Sequence, residues 1–157
     1  LPLQKAFILF STNEILLVFL PHGIRILSFY MFGLKGAIYL LPASYIMFFI
    51  LKQKGIDLNP VLPLASMFIC YLGYWLIRAL IFKGTPPTLA YVWPYFAATG
   101  LGAAVFNGTA MNYIQTGAIS VFDIALVILG DMTGMATCLI AAVYFFRLAR
   151  LVGSAYR

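Results

Sequence analysis

Four long apolar stretches fill most of this chain, and they limit it to a fold that tolerates nearly continuous hydrophobic surface. The stretches cover residues 36–49, 60–82, 91–114 and 121–146. A helix needs about 20 apolar residues to cross a hydrocarbon core of about 30 Å. The last three reach that length, and the first reaches it when Lys52 and Lys54 extend their charged ends outward. We therefore predict four full transmembrane helices, at about 36–53, 60–82, 91–114 and 121–147.

The composition supports a membrane environment. Hydrophobic residues make up 64% of the chain and charged residues 9%, with a mean hydropathy of +1.01, whereas soluble domains carry about 25% charged residues. The predicted fold class is an all-α integral membrane protein, a bundle of the four transmembrane helices plus a broken N-terminal helical segment, five to six helices in total. Residues 1–157 form a single polytopic domain with a tail at 148–157.

The N-terminal segment, residues 6–33, is apolar in bulk but interrupted by polar residues. Proline removes a helical N–H and clashes with the preceding turn, and Gly23 follows Pro21 closely, so we expect a break near residues 20–23. Two arrangements stay open: the segment crosses the membrane once, or it enters and returns. In both, the positive-inside rule places Lys83 and Arg147 in the cytoplasm and Lys52 on the opposite face. The C-terminus is then cytoplasmic.

Several chemistries find no support in the residues. The net charge of +6 lies at the predicted membrane edges, where it favours anionic lipid headgroups rather than nucleic acid. His22 is the single histidine, too few for a haem pair or a zinc site. Cys70 and Cys138 have no cysteine at metal-ligand spacing and are expected to pack as small hydrophobes. We predict no metal site, no catalytic residue and no enzyme activity, and the sequence identifies no cofactor.

Ionisable and amide side chains inside the apolar segments are the best candidates for a functional site. A charge at a helix centre costs about 2.5–3.5 kcal/mol on insertion scales, so such residues face the bundle interior and are paired. We expect Asp131 to pair with Arg25 or Arg78. The network either pins the helices together or binds a ligand or ion, and the sequence favours neither. Its predicted members are Glu14, His22, Arg25, Arg78, Asn107 and Asp131.

Small residues recur at helical spacing within the stretch 91–114. They comprise Gly100, Gly102, Ala103, Ala104, Gly108 and Ala110. Small side chains let helix backbones approach closely in a membrane. We therefore predict that this face packs against a neighbouring helix.

Two short motifs, in order along the chain, resemble those of a known family. The first is LPHGIR at 20–25, followed by Phe32-Gly33 and by Gly36, and the second is LGDMTG at 129–134, followed by Arg147. These resemble the Pro-x-Gly segment and the Gly-Asp-x-x-Gly signature of the bacterial membrane-associated sensor domain family, type one, in a short form without an output domain. The resemblance implies an integral-membrane input module that normally precedes a cytoplasmic cyclase, phosphodiesterase or histidine kinase. Its characteristic residues would be Pro21, Gly23, Gly130, Asp131 and Gly134.

Three classes of function follow as hypotheses. The first is a non-enzymatic, sensor-like module in the bacterial inner membrane that binds a ligand or a protein partner within the membrane. The second is an accessory or structural subunit of a larger membrane complex, whose aromatic residues, 17% of the chain, face lipid and partner. A small transporter ranks third, supported only by the broken N-terminal helix with Glu14. The expected partners are the lipid bilayer and another membrane protein or a second copy of the chain.

Overall fold

The computed structural model describes residues 20–53, 59–84, 92–117, 119 and 121–155, and within these ranges the chain forms five α-helices and no strand. The predicted all-helical class is confirmed. In chain order the helices are α1 (Leu20–Phe32), α2 (Leu34–Gln53), α3 (Leu62–Leu80), α4 (Val92–Thr116) and α5 (Val121–Ala155). Residues 6–19 of the predicted N-terminal segment lie outside the described ranges.

Two of the described helices are long and apolar enough to cross a membrane, the residues Leu62–Leu80 and Val121–Leu151. The apolar part of α2, Leu34–Ile50, is shorter, and the sequence of α4 is diluted by glycine, threonine and asparagine. Helix α2 also contains Pro42. The structure thus supports two of the four predicted transmembrane helices by length and composition.

Helix α1 lies at the centre of the bundle and contacts each of the other four described helices. Residues 20–23 are helical, and the break predicted near them stays a prediction, because residues 6–19 lie outside the described ranges. The turn to α2 occurs at Gly33, whose φ of +58° is a left-handed conformation that favours glycine. Gly36 then passes against the carbonyl of Ser28, which brings α2 back alongside α1.

The most extensive helix pair is α3 with α4, and its close approach uses small residues on both sides. A Cβ added at Gly73 would lie 2.7 Å from the carbonyl oxygen of Gly102 and 2.9 Å from the Cα of Ala103. Gly100 packs against Met135 of α5, and Gly108 faces Val127. The predicted close-packing face on this stretch is confirmed, and it serves α3 and α5 together.

Helix α5 has two different halves. Its first half packs on α1 and α4, and Asp131, Met135 and Leu139 are buried there. After Leu139 nearly every described side chain is exposed, including Phe145 at 67% and Phe146 at 69%. The helix continues without interruption to Ala155, so the residues predicted as a tail at 148–155 extend it. At about 1.5 Å per residue, Leu151 lies about 30 Å along the axis from Asp131.

Candidate functional site

Five buried or half-buried polar side chains from four helices meet in the middle of the bundle, and we call them the polar ring. Its members are His22 and Arg25 of α1, Ser66 of α3, Asn107 of α4 and Asp131 of α5. All except the half-buried Ser66 are buried, and Asp131 is 2% exposed. Each described helix that packs on α1, except α2, contributes one member.

The ring is connected by hydrogen bonds that run from helix to helix. Nη1 of Arg25 donates to Oγ of Ser66 over 3.0 Å, and that hydroxyl donates to Oδ1 of Asn107 over 2.8 Å. The side chain of Asn107 in turn hydrogen-bonds the carboxylate of Asp131, which also lies in the electrostatic field of Arg25. Because a buried polar group without a partner costs about 1–3 kcal/mol, this chain of contacts offsets the burial of its members.

His22 closes the ring and links α1 to two other helices. Its Nε2 lies 3.2 Å from the carbonyl oxygen of Gly100 on α4. A carbonyl only accepts, so a hydrogen bond here requires the proton to be on Nε2. On the other side of the imidazole, Nδ1 lies 3.2 Å from Oδ2 of Asp131 on α5. Cys70 of α3 lies next to this contact, with its Sγ 4.0 Å from Nδ1.

The Asp131 carboxylate is incompletely satisfied. Its Oδ2 is buried and has no aligned hydrogen-bond donor among the described residues, although Nδ1 of His22 is at ion-pair distance. Most buried polar atoms in proteins are paired, so an unpaired carboxylate oxygen calls for an explanation, such as strain, an ordered water, an ion or a functional role.

Glycine brings the two partners of this contact together. A Cβ added at Gly23 would overlap Cβ of Cys138 and lie 3.0 Å from the Cα of Met135 and 3.1 Å from the carbonyl oxygen of Gly134. The residue before Gly23 is His22, and Gly134 follows Asp131 by one helical turn. Two motifs more than a hundred residues apart in sequence therefore form one helix–helix contact, with Gly130 also buried beside it.

The structure brings four of the six predicted network residues together: His22, Arg25, Asn107 and Asp131. Arg78 does not join them. It lies half-buried in the last turn of α3, and its Nη2 donates to the carbonyl oxygen of Gly84, in the turn that follows the helix, over 3.1 Å. Glu14 lies outside the described residues. The expected pairing of Asp131 with Arg25 or Arg78 stays a prediction: the carboxylate lies in the electrostatic field of Arg25, and its ion-pair contact is to His22.

Sequence reasoning missed Ser66, the carbonyl of Gly100 and the position of Cys70. Ser66 and Cys70 are four residues apart and so share a face of α3, which is a usable signal in an otherwise apolar helix. Cys70 is completely buried, and Cys138 is half-buried against Gly23. No three His, Cys, Asp or Glu side chains in the described parts of the chain are placed to hold a metal ion.

Comparison with known proteins adds no relative to this description. No family model matches the chain, and no curated protein or solved structure is similar to it. The class of protein that fold and site define is therefore an all-helical bundle with a buried ionisable centre.

Proposed function

We propose that this chain is a non-enzymatic input module of the bacterial inner membrane, in which the polar ring receives a signal and α5 carries it toward the cytoplasm. The observation that carries the proposal is the His22–Asp131 contact. It attaches the central helix α1 to α5, and α5 then continues as one helix far beyond the packed bundle. A change at Asp131 has a rigid element through which to act.

The exposed surface of the apolar helices supports the membrane location. Only 33% of the apolar window of Leu62–Leu80 and 28% of that of Val121–Leu151 is buried inside the chain. A core helix of a soluble protein would bury most of such a window, because water disfavours large apolar patches. Lipid covers this surface in the proposal, with four helices crossing and the C-terminus in the cytoplasm.

The arrangement of the polar ring favours a site that receives a signal over a network that only stabilises helix packing. A purely structural network stabilises the fold most when every member is paired, since a half-satisfied buried network is less favourable than an apolar core. Here Oδ2 of Asp131 lacks an aligned donor, although Asn107, Arg25 and His22 surround the carboxylate. The sensor domain family that the sequence resembles would use the same aspartate.

A second candidate function is an accessory subunit of a larger membrane complex. It is favoured by one observation, the exposed aromatic side chains Tyr144, Phe145 and Phe146 near the end of α5. In this version the aromatic surface binds another membrane protein, and the polar ring only holds the bundle together. The transporter hypothesis depends on Glu14, which lies outside the described residues, and no feature of the described residues supports it.

Spin labels on α5 and in the turn after α3 separate the two candidates. We would label Arg150→Cys and Lys83→Cys in a Cys138→Ala background, with Cys70 protected by burial, and measure the label distance by electron–electron double resonance in lipid nanodiscs. If the ring controls α5, Asp131→Ala shifts the distance distribution, and the matched substitution Asp123→Ala on the same helix does not. An unchanged distribution in a folded Asp131→Ala protein contradicts the input module and favours the accessory subunit.

A labelling experiment tests the topology that the proposal requires. Single cysteines at Lys52 and at Lys83 would be reacted with a membrane-impermeant maleimide in intact cells. We expect reaction from outside at Lys52→Cys alone, because the positive-inside rule places Lys83 in the cytoplasm. Exclusive labelling at Lys83→Cys would contradict the orientation.

A further inference from the structure

We propose that His22 and Asp131 form a proton-binding site, so that the ligand of the polar ring is a proton exchanged with water. This inference rests on the proposed function, since it names what the receiving site takes up. It starts from hydrogen-bond stoichiometry. A neutral imidazole has one N–H, yet His22 faces an acceptor on each side, the carbonyl of Gly100 and the carboxylate of Asp131.

With no added proton the two acceptors compete. If Nε2–H donates to Gly100, the lone pair of Nδ1 faces the carboxylate at 3.2 Å, and if Nδ1–H donates to Asp131, the other lone pair faces the carbonyl. In either tautomer, one of the two contacts of the His22 imidazole is therefore repulsive. The orphaned Oδ2 of Asp131 is the structural trace of this competition.

One proton from hydronium resolves both contacts. It leaves a water molecule behind and lies between Nδ1 and Oδ2, either as imidazolium with carboxylate or as neutral imidazole with carboxylic acid. In both forms Nε2–H still donates to Gly100 and the second contact becomes attractive. Protonation therefore closes the α1–α5 contact, and return of the proton to water opens it while Nε2–H stays on the carbonyl of Gly100.

The His22–Asp131 pair faces charged or polar groups from three helices of the bundle. On α1 the charged group is Arg25, on α3 the titratable group is Cys70, and α4 presents the neutral amide of Asn107 and the carbonyl of Gly100. Helix α2 contributes no member to the polar ring within the described residues. The fixed charge of Arg25 balances the carboxylate when the proton leaves, and the site carries one net positive charge when the proton is bound.

The single histidine makes the test unusually direct. Protein labelled with ¹⁵N-histidine gives signals from His22 alone, and spectra in lipid nanodiscs over about pH 4 to 9 cover the ordinary range of carboxyl and imidazole titration. We expect Nε2 to stay protonated throughout while Nδ1 changes in one step. Asp131→Asn, whose amide cannot take up the proton, should move that step by at least about one pH unit, which is about tenfold in proton affinity. Asp123→Asn should leave it in place.

The outcomes separate this inference from the function on which it rests. A Nδ1 signal without a step, or a step identical in Asp131→Asn, overturns the proton site even if the spin labels show that the ring controls α5. A step that Asp131 controls, without movement of α5, keeps the proton site and contradicts the input module. If Asp131→Asn does not fold, the wild-type ¹⁵N titration and the infrared band of a protonated carboxyl group decide the question.

Discussion

The α1–α5 and α3–α4 contacts use the same backbone device and different side-chain chemistry. In each, a glycine lets one helix rest on the backbone of the other: Gly23 on Gly134 and Met135, and Gly73 on Gly102. In each, a buried polar pair lies beside the glycine. The pair in α3–α4 is Tyr74 with Tyr95, whose hydroxyl oxygens are 2.8 Å apart.

The two polar pairs differ in whether their hydrogen bonding depends on the protonation state. One tyrosine hydroxyl donates and the other accepts, so the pair is satisfied without any exchange of protons. His22 and Asp131 present two acceptors to each other when Nε2 carries the only proton of the imidazole. The comparison indicates that close glycine packing fixes where helices meet, while the choice of side chain decides whether the contact is permanent or conditional.

The largest expected effect comes from removing one partner of the conditional contact. Asp131→Ala should lower the free energy of unfolding by about 3–5 kcal/mol, because it removes the buried carboxylate that His22 and the charge of Arg25 face. Tyr74→Phe, its counterpart in α3–α4, should cost about 1–3 kcal/mol, since it leaves one buried hydroxyl unpaired. Both are measured by denaturant titration in detergent. Equal losses would remove the distinction between the contacts.

The glycines should show effects of intermediate size that are similar in both contacts. Gly23→Ala and Gly73→Ala each push a methyl group into backbone atoms, which cannot move as a side chain can, so we expect losses of about 1–3 kcal/mol. Gly108→Ala is the matched control on α4, because its nearest neighbour is a methyl of Val127 at 3.3 Å. There the higher helix propensity of alanine offsets the crowding, to within about 1 kcal/mol. A harmless Gly23→Ala would contradict the close α1–α5 approach.

The sequence predicts the helices better than it predicts their meeting points. The all-helical class and the small-residue face of α4 follow from composition and spacing, because a helix has one dominant period. The turn at Gly33 matches the predicted boundary between the segment 6–33 and the helix that begins near residue 36. Pro21 and Gly23 lie within α1, where Gly23 allows the close approach to Gly134 and Met135. The pairing of Asp131 with His22 depends on which helices become neighbours, which no local pattern encodes.

The smallest expected effect concerns the end of α5. Truncation after Phe146 should change the free energy of unfolding by less than about 0.5 kcal/mol, because the removed side chains that are described, Arg147 to Leu151, are exposed. Copurification from mild detergent measures the other consequence. We expect membrane proteins that bind the aromatic surface to remain bound. Loss of every partner from a folded truncated bundle would show that partners bind through the removed end of α5.

The most direct test of the conditional contact is a pair of double-mutant cycles measured as a function of pH. The coupling energy of His22 with Asp131, from the two alanine variants and their combination, should be largest where the proton is bound and fall as rising pH removes it. The coupling of Tyr74 with Tyr95 should stay constant over the same range of about pH 4 to 9. A His22–Asp131 coupling that is absent, or as independent of pH as the tyrosine coupling, would contradict the account.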